Sequence, residues 1–160
     1  MSLQQVYGNA KGIRVSVKAV IIQDGQLLAM QHRSQDRDYY LLPGGGQRNA
    51  ETLVEAIQRE CMEEAGIQVS VGDVVFIRDY IEKNHEFAGQ IPGFHQVEIM
   101  FRCEITDGRS LGKGTEMDTR QIGVRWLPLD TLDQYRLYPA ILKEIIPLGT
   151  TGCIYLGDVN

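Results

Sequence analysis

The chain has 160 residues, 43% of them hydrophobic, and a net charge of -5 at pH 7, which suits one soluble globular domain with its own core. It has no run of about 18 apolar residues that would span a bilayer, and no basic stripe of the kind that broad nucleic-acid binding requires. Its cysteines, Cys61, Cys103 and Cys153, form no CxxC pair and suggest neither a disulfide framework nor a zinc site.

The N-terminus, MSLQQVYGNAKG, lacks an apolar stretch resembling a secretory signal, so the expectation is a single cytoplasmic domain over 1–160. Residues 14–23 (RVSVKAVIIQ) are rich in β-branched side chains and read as a strand. Asp24-Gly25 is a hairpin signal, and 26–31 is the returning strand. The polar stretch HRSQDRD (32–38) reads as a loop, and the short apolar run 39–42 stops at Pro43 and three glycines. A helix is expected over 51–65, strands over 69–82 and 95–105, and a loop, KNHEFAGQIPGF, between those strands. A Gly-rich charged loop over 106–119 precedes a strand at 124–127, a second helix at 139–146 and a final short strand at 153–156. Mixed strands with two helices predict an α/β or α+β layered domain.

The helix at 51–65 carries the chemistry. Thr52 and Glu55 fit a capping box, and Gly66 fits the left-handed position that ends a helix. Leu53, Val54, Ile57, Cys61 and Ala65 recur at helical spacing as one apolar face. At about 100° per residue, Glu60, Glu63 and Glu64 fall within an arc of about 100° that borders this face. Like charges at such spacing cost roughly 0.2–0.5 kcal/mol per pair, and partial burial raises the cost. A hard divalent cation relieves it, because Mg²⁺ and Mn²⁺ prefer carboxylate oxygen. A solvated charged face is the other reading of the same pattern. The preceding turn, Pro43-Gly44-Gly45-Gly46, lets the backbone come close to the helix and present its N–H and C=O groups to a phosphate or a metal.

Taken together, Gly45, Glu51, Arg59, Glu60, Glu63, Glu64 and Gly66 match the Nudix box, in which Gly, five residues, Glu and seven residues lead to REUxEExGU, with U apolar. Cys61 and Ile67 stand at the two U positions, the first usually aliphatic. Tyr40 with Leu42-Pro43-Gly44-Gly45 resembles the aromatic-x-L-P-G-G approach to the box, and Arg125-Trp126 followed by Leu127 resembles the family's later strand. The chain therefore resembles the Nudix hydrolase family over most of its length. That resemblance implies an α/β/α sandwich around a mixed β-sheet, with the box as loop–helix–loop. It implies a Mg²⁺-dependent hydrolase (Mn²⁺ as a substitute) that cleaves the diphosphate linkage of a nucleoside diphosphate derivative. By the same resemblance Glu60 and Glu64 are the main metal ligands, Glu63 is a further ligand or helps activate water, and the Gly44 carbonyl joins the metal. Glu51 and Arg59 would pair to brace the loop against the helix.

Outside the box, Arg33, and more weakly Arg14 and Arg37, are candidates to meet a substrate phosphate. Tyr40 is a candidate to stack on a base, although a core position at the strand end is the favoured reading. Glu98, Glu116 and Asp118 are candidates for an additional acid. His85 and His95 are candidates for catalysis by residue type, since histidine is the side chain suited to moving protons near neutral pH, though an isolated histidine is more often structural. Trp126 reads as packing, and Asp158 has no reading beyond surface. Within the same fold, a prenyl-diphosphate isomerase and a non-catalytic nucleotide-sensing module are the alternatives. The complete set of box acids disfavours both. The expected partner is a small nucleotide derivative of open identity, with no membrane or nucleic acid, and homodimers are common among members of the family.

Overall fold

The computed structural model describes residues 12–35, 37–86, 88–107, 120–149 and 151–160. Strand β1, Arg14–Val20, is followed by the two-residue β2, Ile22–Gln23, and β3, Gln26–Ser34. Between β2 and β3, Asp24 and Gly25 both take positive φ (50° and 72°), the conformation a two-residue hairpin needs to match strand twist. β4 is Arg37–Leu41 and helix α1 is Leu53–Ala65. β5, Val69–Ile81, and β6, His95–Ile105, are the long antiparallel pair; β7 is Gln121–Pro128, β8 Leu137–Tyr138 and β9 Ile154–Asp158.

The strands form two sheets among the described residues. One is mixed, in the order β1-β6-β5-β9, with β1 parallel to β6 and β9 parallel to β5. In the other, β3 is central, pairing antiparallel with β2, β4 and β7, and β8 lies parallel beside β4. Two apolar cores result. Ala56, Ile57, Cys61 and Ala65 of α1 pack with Val17, Ala19, Leu28, Met30, Phe101 and Cys103. Leu27, Tyr40, Leu42, Phe76, Met100 and Leu127 pack instead with Leu132, Leu142 and Ile146. A full helix thus covers one core, and only short helical turns, Leu129–Gln134 and Leu142–Ile145, cover the other. The layered mixed α+β fold that the sequence predicts is the one observed.

Three local expectations change. The stretch 32–38 is not read as one loop, because β3 runs on to Ser34, β4 begins at Arg37, and Arg33 meets Asp38 across the antiparallel pair. The expected helix at 139–146 contracts to Leu142–Ile145; Pro139, lacking an N–H, sits ahead of it. Val54 is 43% exposed and Ala56 takes its place on the buried face. The predicted caps of α1 form as expected: the Thr52 side chain accepts from Glu55 N, the Glu55 side chain answers to Thr52 N, and Gly66 is left-handed. No described helix is long and apolar enough to cross a membrane.

Candidate active site

The chain between β4 and α1 runs along β1 as if it were one more strand. Ala19 N donates to Pro43 O, Val17 N to Gly45 O, and Gln47 N to Val15 O. Gly44 has φ +138° and lies so close to β1 that a Cβ there would strike Val17 O and Lys18 Cα; only glycine tolerates this path. Its N–H donates to Glu64 Oε2 at 2.9 Å. Its carbonyl accepts from Lys18 Nζ at 2.9 Å, and that ammonium also reaches Leu42 O at 3.2 Å. Gly45 faces Glu60: a Cβ at this position would fall 2.6 Å from Glu60 Oε1.

Arg59 gathers the acids. Its Nη1 donates to Glu60 Oε1 at 2.7 Å and to Glu63 Oε2 at 3.1 Å. Its Nε and Nη2 reach the two oxygens of Glu51 at 2.7 and 3.0 Å, and Nη2 also donates to Gly46 O at 3.1 Å. The Arg59 guanidinium holds the Glu51 carboxyl down at about 2, against a burial effect that opposes it, with help from the Arg48 N–H. Glu51 in turn raises Arg59, so the pair is charged throughout the physiological range. Among the described residues no three histidine, cysteine or carboxylate side chains yet converge as metal ligands would. Glu60 and Glu63 share the guanidinium, while Glu64 turns to the Gly44 amide. The repulsion expected within the trio is offset here by Arg59.

A cleft of about 240 Å³ opens beside Gly44, Gly45 and Glu64. Its floor is the polar face of the mixed sheet. Arg14, Ser16 and Lys18 of β1 lie beside Gln96 and Glu98 of β6, which lie beside Tyr80 and Arg78 of β5. Arg78 and Glu98 form a buried ion pair at 2.6 Å. Burial would push Glu98 up, but the charges of Arg78 and Lys18 outweigh it and the carboxyl stays low. The walls are aromatic: His32 stacks on Tyr39 at 5.2 Å and Tyr39 meets Tyr138 edge-on, while Tyr80 and Phe94 stand together elsewhere along the lining.

A loop with two obligate glycines, a capped helix carrying Glu60, Glu63 and Glu64, and an arginine tying them to Glu51 reproduce the box in three dimensions. The family model for the NUDIX domain matches residues 12–148. The chain belongs to the Nudix hydrolase family. Members of this family generally use divalent metal ions and act on nucleotide-derived small molecules. The chain is similar to the human protein described as 8-oxo-dGDP phosphatase NUDT18, at 28% identity over 124 residues, 76% of this chain. It spans about a third of that relative, 34% of its length. Among solved structures, a NUDIX hydrolase from Nitrosomonas europaea superposes with TM-score 0.68 at 20% identity, covering 94% of this chain and 80% of that one. An ADP-ribose pyrophosphatase from Streptococcus suis superposes with TM-score 0.62 at 20% identity, covering 92% and 100%.

Within this Nudix domain the fold brings Glu51, Arg59, Glu60, Glu63, Glu64 and Gly44 together, and the outlying candidates divide. Arg14 does line the cleft, its Nη1 donating to Gln96. Glu98 is there too, committed to Arg78. Arg33 is exposed and bound bidentately to Asp38, away from the cleft, and Arg37 is exposed at the start of β4. Tyr40 is not the cleft aromatic. It is 6% exposed and packs in the core edge-to-face with Tyr135, because alternation along β4 turns Tyr39 to the cleft in its place. His85 and His95 pair with Asp158 and Asp79 at 2.6 and 2.7 Å. Asp158, expected as mere surface, also accepts from Ile81 N and Asn84 and ties β9 to the end of β5. Glu116 and Asp118 lie outside the described residues. The sequence reading missed Lys18, Arg78, Tyr39, Tyr80, Phe94 and Tyr138. The period-two pattern Arg14, Ser16, Lys18, opposed to buried Val17 and Ala19, was the available signal for the first.

Proposed function

We propose that this domain is a Mg²⁺-dependent hydrolase that cleaves the diphosphate linkage of a nucleoside diphosphate derivative. The observation that carries the proposal is the junction of an all-oxygen acidic site, Glu60, Glu63, Glu64 and the Gly44 carbonyl, with a cleft that offers both cations and aromatic faces. Such a cleft fits a ligand that is anionic at one end and a planar ring at the other.

The residues present fit a divalent ion. Their donors are hard oxygens, Gly45 leaves space that a Cβ would fill against Glu60, and a cation, the Lys18 ammonium, already sits on the Gly44 carbonyl. Glu60, Glu64 and Gly44 O would hold Mg²⁺, with Glu63 a further ligand or the base. When bound, the ion would offset phosphate charge and lower the pKa of a water. Arg14 and Arg120, which line the cleft, would meet phosphate oxygens. Glu63, within reach of Arg48 as well as Arg59, can take a proton from an attacking water. Arg59 and Glu51 position these carboxylates and stay out of the chemistry.

A panel of nucleoside diphosphate derivatives incubated with Mg²⁺, with products identified by mass, tests the reading. ADP-ribose and 8-oxo-dGDP belong in it, because relatives carry those names. Turnover of at least one member is expected. In Glu64→Gln turnover should fall at least about a thousandfold, while the amide oxygen still accepts from Gly44 N and keeps the fold. Near-wild-type turnover in that variant with Mg²⁺ supplied would overturn the proposal.

A further inference from the structure

We propose that Lys18 is a resident cation of the metal site: its ammonium holds the Gly44 carbonyl until a divalent ion takes that oxygen, and it then moves to a phosphate of the bound substrate. This rests on the reading of Gly44 O as a metal ligand.

The geometry is specific. Lys18 projects from β1 on the same face as Arg14 and Ser16, into the cleft. Two of its three donors are spent on loop carbonyls, Leu42 O at 3.2 Å and Gly44 O at 2.9 Å. Both of these partners are backbone carbonyls rather than carboxylates. The ammonium's charge acts on Glu98, whose oxygen is already bound to Arg78. Lys18 is therefore held mainly by two backbone dipoles, which a mobile four-carbon stem can leave. Gly44 is gripped at both polar backbone atoms, its N–H by Glu64 and its C=O by Lys18. These two contacts fix the course of the loop.

A divalent ion that took Gly44 O as a ligand would be a second cation on an oxygen the Lys18 ammonium already holds. An ammonium bonded to the same oxygen would face it at close range across a poorly screened site. The two cations compete for one carbonyl, and the one on a flexible stem yields. The displaced ammonium lies on the wall of the cleft, where a phosphate is the strongest available acceptor. Loading the metal would free a phosphate-binding group, so metal and substrate would bind with positive coupling that runs through Lys18.

The test measures binding, with no turnover involved. Mn²⁺ alone is titrated into the wild type, Lys18→Met, Lys18→Gln and Glu64→Gln by calorimetry or electron paramagnetic resonance. Methylenediphosphonate, a non-hydrolysable diphosphate, is then titrated with and without Mn²⁺. Both Lys18 variants should bind Mn²⁺ alone about tenfold more tightly, through loss of the competing charge. They should also lose most of the Mn²⁺-dependent gain in diphosphonate affinity. Mn²⁺ affinity equal to or below wild type in whichever Lys18 variant melts like the wild type would overturn the inference and leave Lys18 a strut. Glu64→Gln separates the two levels. If it binds Mn²⁺ as the wild type does, the assignment of the metal site fails and takes this inference with it; if it loses Mn²⁺, the site stands and the Lys18 variants decide.

Discussion

Arg59 and Glu51 meet as a two-pronged ion pair, Nε to Oε1 at 2.7 Å and Nη2 to Oε2 at 3.0 Å, joining the helix of the box to the loop that precedes it. Both side chains are largely buried, at 17% and 14% exposed. The arrangement needs a planar fork, which lysine lacks. On the proposed metal-site reading, Arg59→Lys should therefore reduce kcat/KM about 10–100-fold, the scale for losing a group that orients ligands, while the thermal midpoint moves little. A drop carried by stability alone, with unchanged kcat/KM at low temperature, would contradict this role.

The same pair makes a statement about acid. Glu51 titrates at about 2 in the folded chain against an ordinary 4.5. A depressed pKa contributes stability that is complete above the ordinary value and is lost as the pH falls through the folded one. The Glu51 carboxyl resonance followed by NMR should hold its ionised position down to about pH 3 and move only below it. A midpoint near the ordinary value would show that the pair does not persist in solution.

Gly45 has no special φ, so its requirement is spatial. An added Cβ would fall 2.6 Å from Glu60 Oε1, and the carboxylate must turn aside. Gly45→Ala should fold and yet lose about a hundredfold in kcat/KM, the scale of an ångström-sized misplacement in a site. Mn²⁺ affinity measured without substrate should fall alongside it.

Tyr39 and Tyr40 are neighbours with opposite fates. Tyr39 lines the cleft and stacks with His32, while Tyr40 is buried against Tyr135. Tyr39→Ala should raise KM roughly tenfold, the scale of one lost base stack, with little change in melting. Tyr40→Ala should cost about 3–5 kcal/mol of stability, as large aromatic deletions in cores do. Denaturant unfolding of both variants, with KM for Tyr39→Ala, checks the contrast.

The buried pair Arg78–Glu98 lies under the cleft. Arg78→Met leaves Glu98 charged and unpaired, and should destabilise by about 3–5 kcal/mol. Adding Glu98→Met should recover a large part of the loss, because two apolar side chains replace both charges. A double variant no more stable than Arg78→Met would show that the pair is not the source of the cost.

The helix of the box was legible from sequence because everything that specifies it is local. Thr52 and Glu55 cap it, Gly66 ends it, and the spacing of Glu60, Glu63 and Glu64 follows from 3.6 residues per turn. The long strands were legible from β-branched runs, and Asp24-Gly25 from its turn chemistry. Tertiary structure decided what depends on neighbours distant in the chain. It showed which face of a strand meets the cleft, which is why Tyr39 and not Tyr40 lines it, since a period-two pattern leaves the choice of face to the sheet packed against it. It made a floor of Arg14, Lys18, Arg78, Gln96 and Glu98, residues on strands that become adjacent only through the parallel β1–β6 and antiparallel β5–β6 pairings. It brought Lys18 to the Gly44 carbonyl across 26 positions of sequence, a hydrogen bond that no local pattern encodes because one of its partners is backbone.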